Sequence, residues 1–397
     1  MRDRLRFLIA AFGDPGHCFP AFALAEALQA RGHEVLVESW EQWRGAAERV
    51  DLPFTAAQEY TVYPPPGVDS DQGRTAADAA QALVGLIEEF EPDVVVNDIL
   101  TLAPALAAEV AGAKRATLIP HVFPVQEPGM PLFSMGWRPP RTPIGKLAWR
   151  LPLPLLQIGL RQGLRDLNAT RARLGLEPLE RFHGGTSAEL AMVATFPQLE
   201  YPRKWPPQAL VTGPMFFELP WEEIAIPEGD EPLVLVAPST AQDPMCVMLR
   251  AALDGLADEP VRVVATTNKH RPVERLDVPG NAVLEPWLSY SQLMPLADVV
   301  VCHGGHGTVA RALDAGAPLL CCPAVGDMAE NGMRVQWSGA GLSLPRRLLG
   351  PGSLRASVRR ILGDPSYRER AKELAVWSRA HNGAEAGAAA VEALARG

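Results

Sequence analysis

The chain has 397 residues, of which 47% are hydrophobic and 21% charged, a composition that excludes a globally disordered protein. At roughly 150 residues per domain, this length suggests two or three domains. The net charge of −9 argues against a protein whose main task is to grip nucleic acid or an anionic membrane, but it leaves room for a local basic site.

Membrane insertion and disulfide bonds are not expected from this sequence. No apolar run approaches the ~20 residues that span a bilayer. The basic start, followed by about eight apolar residues, fits a buried first strand better than a signal peptide. The five cysteines lack zinc-ligand spacing, so we expect them to be reduced in a cytoplasmic protein.

Strands and helices alternate through the first half of the chain. The apolar run 5–12 predicts a strand, a turn follows at 13–16, and residues 19–31 predict a helix that stops at Gly32. A strand at 33–38 completes a βαβ unit, which indicates a parallel sheet. The other elements predicted in this half are a strand at 93–97, a helix at 102–111 and a strand at 116–119.

Two proline-rich stretches interrupt this alternation. Residues 120–150 combine prolines with large apolar side chains, so they form either a loop packed on the core or a ligand-binding lid. Residues 215–232 combine prolines with acidic residues, and we interpret them as an interdomain linker.

A second alternation follows the linker and predicts a second α/β half. Its elements are strands at 233–237, 262–266, 298–302 and 319–322, and helices at 246–256 and 307–315. Residues 367–395 are alanine-rich and predict terminal helices, broken near Asn382-Gly383, that pack on an already folded body.

The strongest chemical signal is the glycine-rich turn from His303 to Thr308, which connects a buried strand to a helix. A helix N-terminus offers free N–H groups and a partial positive charge, and glycines let the backbone approach a phosphate closely. The turn therefore predicts a phosphate site, although a plain strand-to-helix turn would also use glycine. It is neither a P-loop nor a Gly-x-Gly-x-x-Gly fingerprint.

A second signal is His17, which directly follows the first predicted strand. A neutral imidazole can accept a proton near neutral pH when its other nitrogen is held by an acceptor. Asp98, at the end of another strand of the same half, is the candidate acceptor. A single loop histidine is more often polar surface, so the residues alone leave both interpretations open.

Motifs spread over nearly the whole chain resemble those of one family. They are Gly16-His17-x-x-Pro20, Trp287, His303-Gly304-Gly305-x-Gly307-Thr308, Ala312-Leu313-x-Ala315-Gly316-x-Pro318, and Asp327 with Asn331. In this order they resemble the inverting nucleotide-sugar glycosyltransferases that modify natural products, and among these the actinobacterial antibiotic glycosyltransferases.

The resemblance implies an α/β fold of the GT-B type. Two Rossmann-like domains with parallel sheets would face each other across a cleft, and C-terminal helices would cross back to the N-terminal domain. An acceptor-binding domain would span 1–214, a linker 215–232, a nucleotide-sugar-binding domain 233–378, and the returning C-terminal helix 379–397.

The resemblance also implies roles for individual residues. His17 would be the general base and Asp98 would hold its imidazole. Trp287 would stack on the pyrimidine, and Asp327 would bind sugar hydroxyls. The full donor-binding set would be Ser239, Thr240, Trp287, Leu288, His303, Gly305, His306, Gly307, Thr308, Asp327, Met328 and Asn331.

No metal or other cofactor is implied, since the nucleotide sugar is itself a co-substrate and the α-helix N-terminus can stabilise the leaving diphosphate. Asp69-Ser70-Asp71 fits the Asp-x-Asp pattern of metal-dependent glycosyltransferases, but it lies in a proline- and glycine-rich loop and is interpreted as solvated.

Two departures from the family pattern bear on the donor. The family often has Glu where Arg311 stands, to hold the ribose hydroxyls, and Gln where Met328 stands. A missing ribose acceptor suits a thymidine donor better than a uridine donor, and an apolar Met suits a deoxysugar.

The acceptor is expected to be a lipophilic natural-product aglycone, because apolar and aromatic side chains are candidates to line its pocket. They are Phe123, Met130, Phe133, Met135 and Trp137, and they might equally pack under a loop. Alternatives are C-glycosylation of an aromatic acceptor, epimerisation of a nucleotide sugar, and a non-catalytic helper protein. The expected partners are small molecules only, with no nucleic acid, no membrane span, and a monomer or homodimer.

Overall fold

In the computed structural model, two parallel sheets form the framework of two lobes. The structure describes residues 4–60, 75–181, 186–219, 226–239, 245–268, 275–324 and 326–397.

The N-terminal lobe is built on a seven-stranded parallel sheet in the order β3-β2-β1-β4-β5-β6-β7. Its strands are β1 (Arg6–Ala10), β2 (Glu34–Ser39), β3 (Phe54–Ala56), β4 (Val94–Asp98), β5 (Lys114–Ile119), β6 (Leu190–Val193) and β7 (Ala209–Val211). Its helices are α1 (Pro15–Ala30), α2 (Arg44–Glu48), α3 (Ala76–Phe90), α4 (Leu102–Val110), α5 (Pro143–Ala148) and α6 (Leu153–Arg173).

The C-terminal lobe is built on a six-stranded parallel sheet in the order β10-β9-β8-β11-β12-β13. Its strands are β8 (Leu233–Ala237), β9 (Arg262–Thr266), β10 (Ala282–Glu285), β11 (Val299–Cys302), β12 (Leu319–Cys321) and β13 (Gly341–Ser343). Its helices are α7 (Val247–Leu256), α8 (Tyr290–Leu293), α9 (His306–Asp314), α10 (Met328–Ser338), α11 (Pro351–Gly363) and α12 (Pro365–Ala380), and the chain ends with α13 (Gly383–Arg396).

Both sheets are covered by helices on their two faces, which is why their central strands are continuous apolar runs. In β4, Val94, Val95 and Val96 are fully buried, with alternate residues packing into different core clusters. The strand orders have the topological switch at β1/β4 and at β8/β11, and ligands of open α/β sheets bind beyond the strand ends at such points.

The last two helices belong to different lobes. Helix α12 packs on α9 of the C-terminal lobe, whereas α13 packs on α1 and on strands β4, β5 and β6 of the N-terminal sheet. Asn382 caps α13 by accepting hydrogen bonds from the backbone N–H groups of Ala384 and Glu385. The chain therefore crosses back to the N-terminal lobe, as a GT-B fold requires.

The predicted strands and helices are confirmed in position, with two informative differences. Helix α1 begins at Pro15, not at residue 19, because proline is well suited to the first helical position, where its missing N–H is not needed. Several elements had no counterpart among the predictions, including helices α3, α6, α10 and α11 and strands β6 and β10. Of these, α6 buries only Leu167 and Arg171, so it lacks the apolar core stripe that marks a helix in sequence.

Candidate active site

A cleft between the lobes contains a cavity of about 1060 Å³, including its open mouth. The N-terminal lobe contributes Gly16, Phe19 and Pro20 from α1, and the C-terminal lobe contributes the turn before α9. The carboxyl ends of both sheets thus open into one space, where an acceptor group from one lobe can meet a ligand held by the other.

His17 and Asp98 form a hydrogen-bonded pair at the N-terminal side of this cleft. His17 Nδ1 lies 2.8 Å from Asp98 Oδ2, and the other carboxylate oxygen accepts a hydrogen bond from the Leu100 backbone N–H. Asp98 ends β4 and is almost fully buried, whereas His17 lies in the first turn of α1. Because Nδ1 is held by the carboxylate, Nε2 is left to accept a proton.

The surroundings of His17 favour its protonated form. Burial lowers its pKa, but the Asp98 charge and hydrogen bond, together with the charges of Asp14 and Asp327, outweigh burial and raise the pKa above 6.5. Asp327 belongs to the C-terminal lobe, so its effect on His17 shows that the two halves of the site are electrostatically coupled across the cleft.

A second histidine, His121, lies beside His17. The two ring centroids are 5.9 Å apart in an edge-on arrangement. His121 Nδ1 is 2.7 Å from the Val122 carbonyl oxygen, so this nitrogen donates. Burial and the positive charge of His17 lower the pKa of His121, which keeps this second imidazole neutral.

The turn between β11 and α9 has the geometry of an anion site. Gly304 has a φ of 84°, which favours glycine, and a Cβ on Gly305 would lie 2.2 Å from His303 Nε2, so a larger residue there would displace the His303 ring. Gly305 caps α9 without a side-chain hydrogen bond. The first N–H groups of the helix therefore face the cleft without an intrahelical partner.

His306, the first residue of α9, is buried where the lobes meet. Burial, followed by the charge of His121, lowers its pKa to about 3, so the ring is neutral. The Ala194 backbone acts on this pKa in the opposite direction, and because Ala194 belongs to the N-terminal lobe, His306 lies against that lobe. His306 lines the cavity, but as a neutral ring it contributes no charge to a diphosphate.

Asp327 and Asn331 support the same turn from α10. Asn331 Nδ2 donates to Asp327 Oδ2 and to the Gly304 carbonyl oxygen, both at 3.0 Å. The Met328 backbone packs against Gly304, where its carbonyl oxygen would lie 2.8 Å from an added Cβ. The residues that the resemblance implies for sugar binding are thus joined to the glycine-rich turn.

The far end of the cavity is lined by Trp287, Leu288, Tyr290 and Asn268. Arg311 also lies here, and its guanidinium pairs with Glu218, with 3.2 Å between Nη1 and Oε2. Glu218 Oε1 accepts a hydrogen bond from Ser289 Oγ at 2.9 Å. A carboxylate therefore reaches this pocket from the linker, already engaged by Arg311 and Ser289.

The candidate acceptor residues do not form one group. Phe123, Met130 and Phe133 line a smaller cavity next to Glu330 and Arg334. Met135 and Trp137 are exposed and lie on neither this cavity nor the main one. Trp137 instead packs edge-on against Trp149, and the preceding Gly136 lies against Ala329 of α10.

The other predicted residues are placed as follows. Trp287, Leu288, His303, Gly305, His306, Gly307 and Thr308 all line the main cavity. Ser239 is buried just beyond the end of β8. Thr240 and the Asp69-Ser70-Asp71 pattern lie outside the described residues.

His121, Glu218 and Asn268 are site residues that the sequence interpretation missed. His121 follows β5 as His17 follows β1, so its position after a strand of the same sheet was the available signal. Glu218 and Asn268 carried no comparable signal, because the first lies in a linker and the second is placed by its Nδ2 bond to the Pro238 carbonyl oxygen.

Two general features complete the description. Over the described ranges, no three His, Cys, Asp or Glu side chains are grouped as a metal site would require. In the same part of the chain, every helix is too short or too polar to cross a lipid bilayer.

Two Rossmann-like lobes with parallel sheets that face each other across a cleft, and a last helix that returns to the first lobe, are the GT-B fold. The solved glycosyltransferase of kitacinnamycin has this fold, with a TM-score of 0.78, 21% identity and coverage of 99% of this chain and 100% of that one. The glycosyltransferase VinC, solved in complex with dTDP, superposes with a TM-score of 0.71 at 21% identity over 99% of this chain and 100% of that one.

The sequence comparisons point to one branch of these enzymes. Residues 250–386 match the family described as erythromycin biosynthesis protein CIII-like, C-terminal domain. The 4′-demethylrebeccamycin synthase of Lentzea aerocolonigenes is 29% identical over 93% of this chain and 94% of its own length. The chain is a glycosyltransferase, similar over nearly its whole length to enzymes of natural-product biosynthesis, and its residues 250–386 match an EryCIII-like C-terminal domain.

Proposed function

We propose that this chain transfers a sugar, with inversion and without a metal ion, from a nucleoside diphosphate to a hydroxyl of a lipophilic natural-product aglycone. The observation that carries the proposal is the 2.8 Å contact of His17 with Asp98, opposite the free N-terminus of α9.

In this mechanism His17 Nε2 takes the proton of the acceptor hydroxyl as the oxygen attacks the anomeric carbon from the face opposite the diphosphate. The bond between the anomeric carbon and the diphosphate oxygen breaks, and the leaving diphosphate takes the electron pair. Asp98 stabilises the imidazolium that forms, while His303 and the first N–H groups of α9 stabilise the growing negative charge.

The His17→Ala variant tests the role of the base. We expect sugar transfer to fall by about 10²–10⁴-fold, the usual contribution of a positioned base. Thermal stabilisation by dTDP should persist, because His17 lies on the acceptor side of the cleft. His381→Ala, which removes an exposed histidine that does not line the main cavity, serves as the matched control.

Transfer by His17→Ala at a rate near that of the wild type would refute the base role. Loss of dTDP binding together with transfer would instead indicate that His17 helps to build the donor site.

We further propose a thymidine donor in preference to a uridine donor. The neighbour VinC was solved with dTDP, and the Arg311 position offers an ion pair in place of a free carboxylate for a ribose 2′-hydroxyl. Since Glu218 is engaged by Arg311 and Ser289, it does not restore that free acceptor.

The double variant Arg311→Glu with Glu218→Gln tests this preference, because it places one unopposed carboxylate at position 311. The wild type should be stabilised more by dTDP than by UDP, and the double variant should shift the affinity ratio toward UDP by roughly tenfold, the value of one charged hydrogen bond. Equal stabilisation of the wild type by both nucleotides would contradict the thymidine preference and leave the transfer mechanism untouched.

We place the reaction in the cytoplasm, since all five cysteines are free and buried, as suits a reducing compartment.

A further inference from the structure

The segment 128–165 is strongly basic in an otherwise acidic protein. It contains six cationic residues and no Asp or Glu, although the whole chain has a net charge of −9. The cations are Arg138, Arg141, Lys146, Arg150, Arg161 and Arg165. This local excess is large enough to give the surface around α5 and α6 a charge opposite to that of the rest of the molecule.

The same segment exposes large aliphatic side chains. Ile144 is 80% exposed, Leu151 78% and Leu155 73%, and Leu147 and Ile158 are also mostly exposed. Within α6, the buried residues Leu167 and Arg171 belong to the last two turns, so the first half of the helix buries no side chain. These five exposed aliphatic side chains fall within fifteen residues of sequence, whereas exposed apolar side chains on a protein surface are ordinarily scattered singly. Such an accumulation is typical of an interaction site.

The aliphatic and cationic residues are ordered along one face. Within α6, Leu155 and Ile158 are three residues apart, which puts them in one stripe of the helix, and Leu151 lies in the turn just before it. Arg161 and Arg165 continue this stripe by steps of three and four residues. Ile144 and Leu147 form the corresponding pair on α5.

We propose that α5 and the first half of α6 form a docking surface for an anionic phospholipid bilayer. Leucine and isoleucine would enter the boundary between headgroups and acyl chains, while the arginines would bind lipid phosphates. The helix would lie in the plane of the membrane surface and would not cross it.

Charge and side-chain type favour lipid over other occupants. A twofold interface would pair this surface with itself and would set six cations against six cations, which disfavours a symmetric dimer through this face. Sites for single-stranded nucleic acid combine cations with aromatic side chains on which bases stack, whereas the exposed apolar side chains of α5 and α6 are mainly aliphatic.

The position of the surface also suits delivery of a lipophilic acceptor. Arg138, Arg141 and Lys146 border a surface cavity that also contains Met130. Met130 lines the neighbouring cavity with Phe133, on the acceptor side of the cleft. Docking would therefore bring the acceptor side to the lipid surface; this last step rests on the proposed function, whereas membrane binding itself does not.

Vesicle flotation of the full chain tests the proposal. We expect binding to vesicles of phosphatidylglycerol mixed with phosphatidylcholine, weak binding to phosphatidylcholine alone, and loss of binding as salt is raised. Arg161→Glu with Arg165→Glu should weaken binding by roughly tenfold or more, since each basic residue near an anionic surface contributes substantially. Leu151→Ser with Leu155→Ser should also release the protein from the vesicles.

Leu348→Ser with Val376→Ser is the matched control, because it removes two exposed aliphatic side chains from the C-terminal lobe. All variants should keep the wild-type melting temperature and the wild-type stabilisation by dTDP, which separates lost docking from lost folding or lost donor binding. Absence of binding to phosphatidylglycerol vesicles would overturn the proposal. Equal binding by the wild type, by Arg161→Glu with Arg165→Glu and by Leu151→Ser with Leu155→Ser would also overturn it. A dimer in sedimentation velocity that Leu151→Ser with Leu155→Ser dissociates would overturn it too, because the surface would then join two copies of the chain.

Discussion

At the scale of single residues, Asp98 controls both the orientation and the proton affinity of His17. One carboxylate oxygen holds His17 Nδ1, and the other is fixed by the Leu100 N–H, so the carboxylate cannot rotate away. Its negative charge is the largest influence that raises the pKa of His17 against burial. A base with a raised pKa is protonated at low pH, so activity should rise with pH through a value above 6.5.

Asp98→Asn should move this acid limb to lower pH, since burial would then act on His17 without its main opposing charge. The maximal kcat/KM should fall by about 10²–10⁴-fold, because the imidazolium loses its stabilising partner. Profiles of kcat/KM against pH for the two proteins are the measurement. If the acid limb of the Asp98→Asn profile stays where it is in the wild type, or moves to higher pH, Asp98 does not set the proton affinity of His17.

At the scale of elements, α13 joins the end of the chain to the first lobe. Val391 and Ala388 are fully buried in the core that includes Leu24 and Leu28 of α1. Gly387 allows this close packing, because a Cβ there would lie 2.6 Å from Met215 Cε and would displace that side chain. The helix is therefore part of the N-terminal core, although it is the last element in sequence.

Val391→Ala should lower the free energy of unfolding by about 2 kcal/mol, through lost burial and a residual cavity. Val376→Ala, at a 59% exposed position of α12, is the matched substitution and should change it by less than about 0.5 kcal/mol. Urea unfolding with an unchanged m-value would measure both effects. Equal losses in the two variants would mean that α13 is not part of this core.

At the scale of the whole molecule, a buried ion network connects the lobes. Arg334 of α10 donates to the Leu199 carbonyl oxygen at 2.9 Å and to Glu200 Oε2 at 3.0 Å, and its Nε donates to Glu330. Glu200 Oε1 in turn accepts the Phe123 N–H at 2.6 Å. One guanidinium thus pairs with two carboxylates from different lobes. Through Glu200 the network is joined to Phe123, which lines the smaller cavity.

Arg334→Met should cost roughly 3–5 kcal/mol, because it leaves two carboxylates buried without a cation. Burial already raises the pKa of Glu330, against the effect of Arg334. Without the cation this pKa should rise further, so the folded variant binds more protons than the unfolded chain and loses stability as pH increases. Calorimetry at mildly acidic and at alkaline pH would test the sign, with the exposed Arg347→Met as control. A loss that does not grow with pH would contradict this account.

The alternating apolar strands and helices determined the two parallel sheets, because periodicity and burial on both faces are local properties of the sequence. The strand predicted at 262–266 has the observed bounds, and the glycine-rich turn before α9 is where the sequence places it. The sequence also anticipated the contact of His17 with Asp98, since both residues follow strands of one sheet.

Only the tertiary structure decided which distant residues join the site. Glu218 reaches Arg311 because residues 214–218 line the cleft, His121 reaches His17 because β5 lies next to β4, and Trp137 packs on Trp149 outside the pocket. These contacts depend on how elements pack across many residues of separation, so no local pattern encodes them. The exposed face of α6 has the same origin: its residues are apolar enough for a core, and only the packing leaves them outside it.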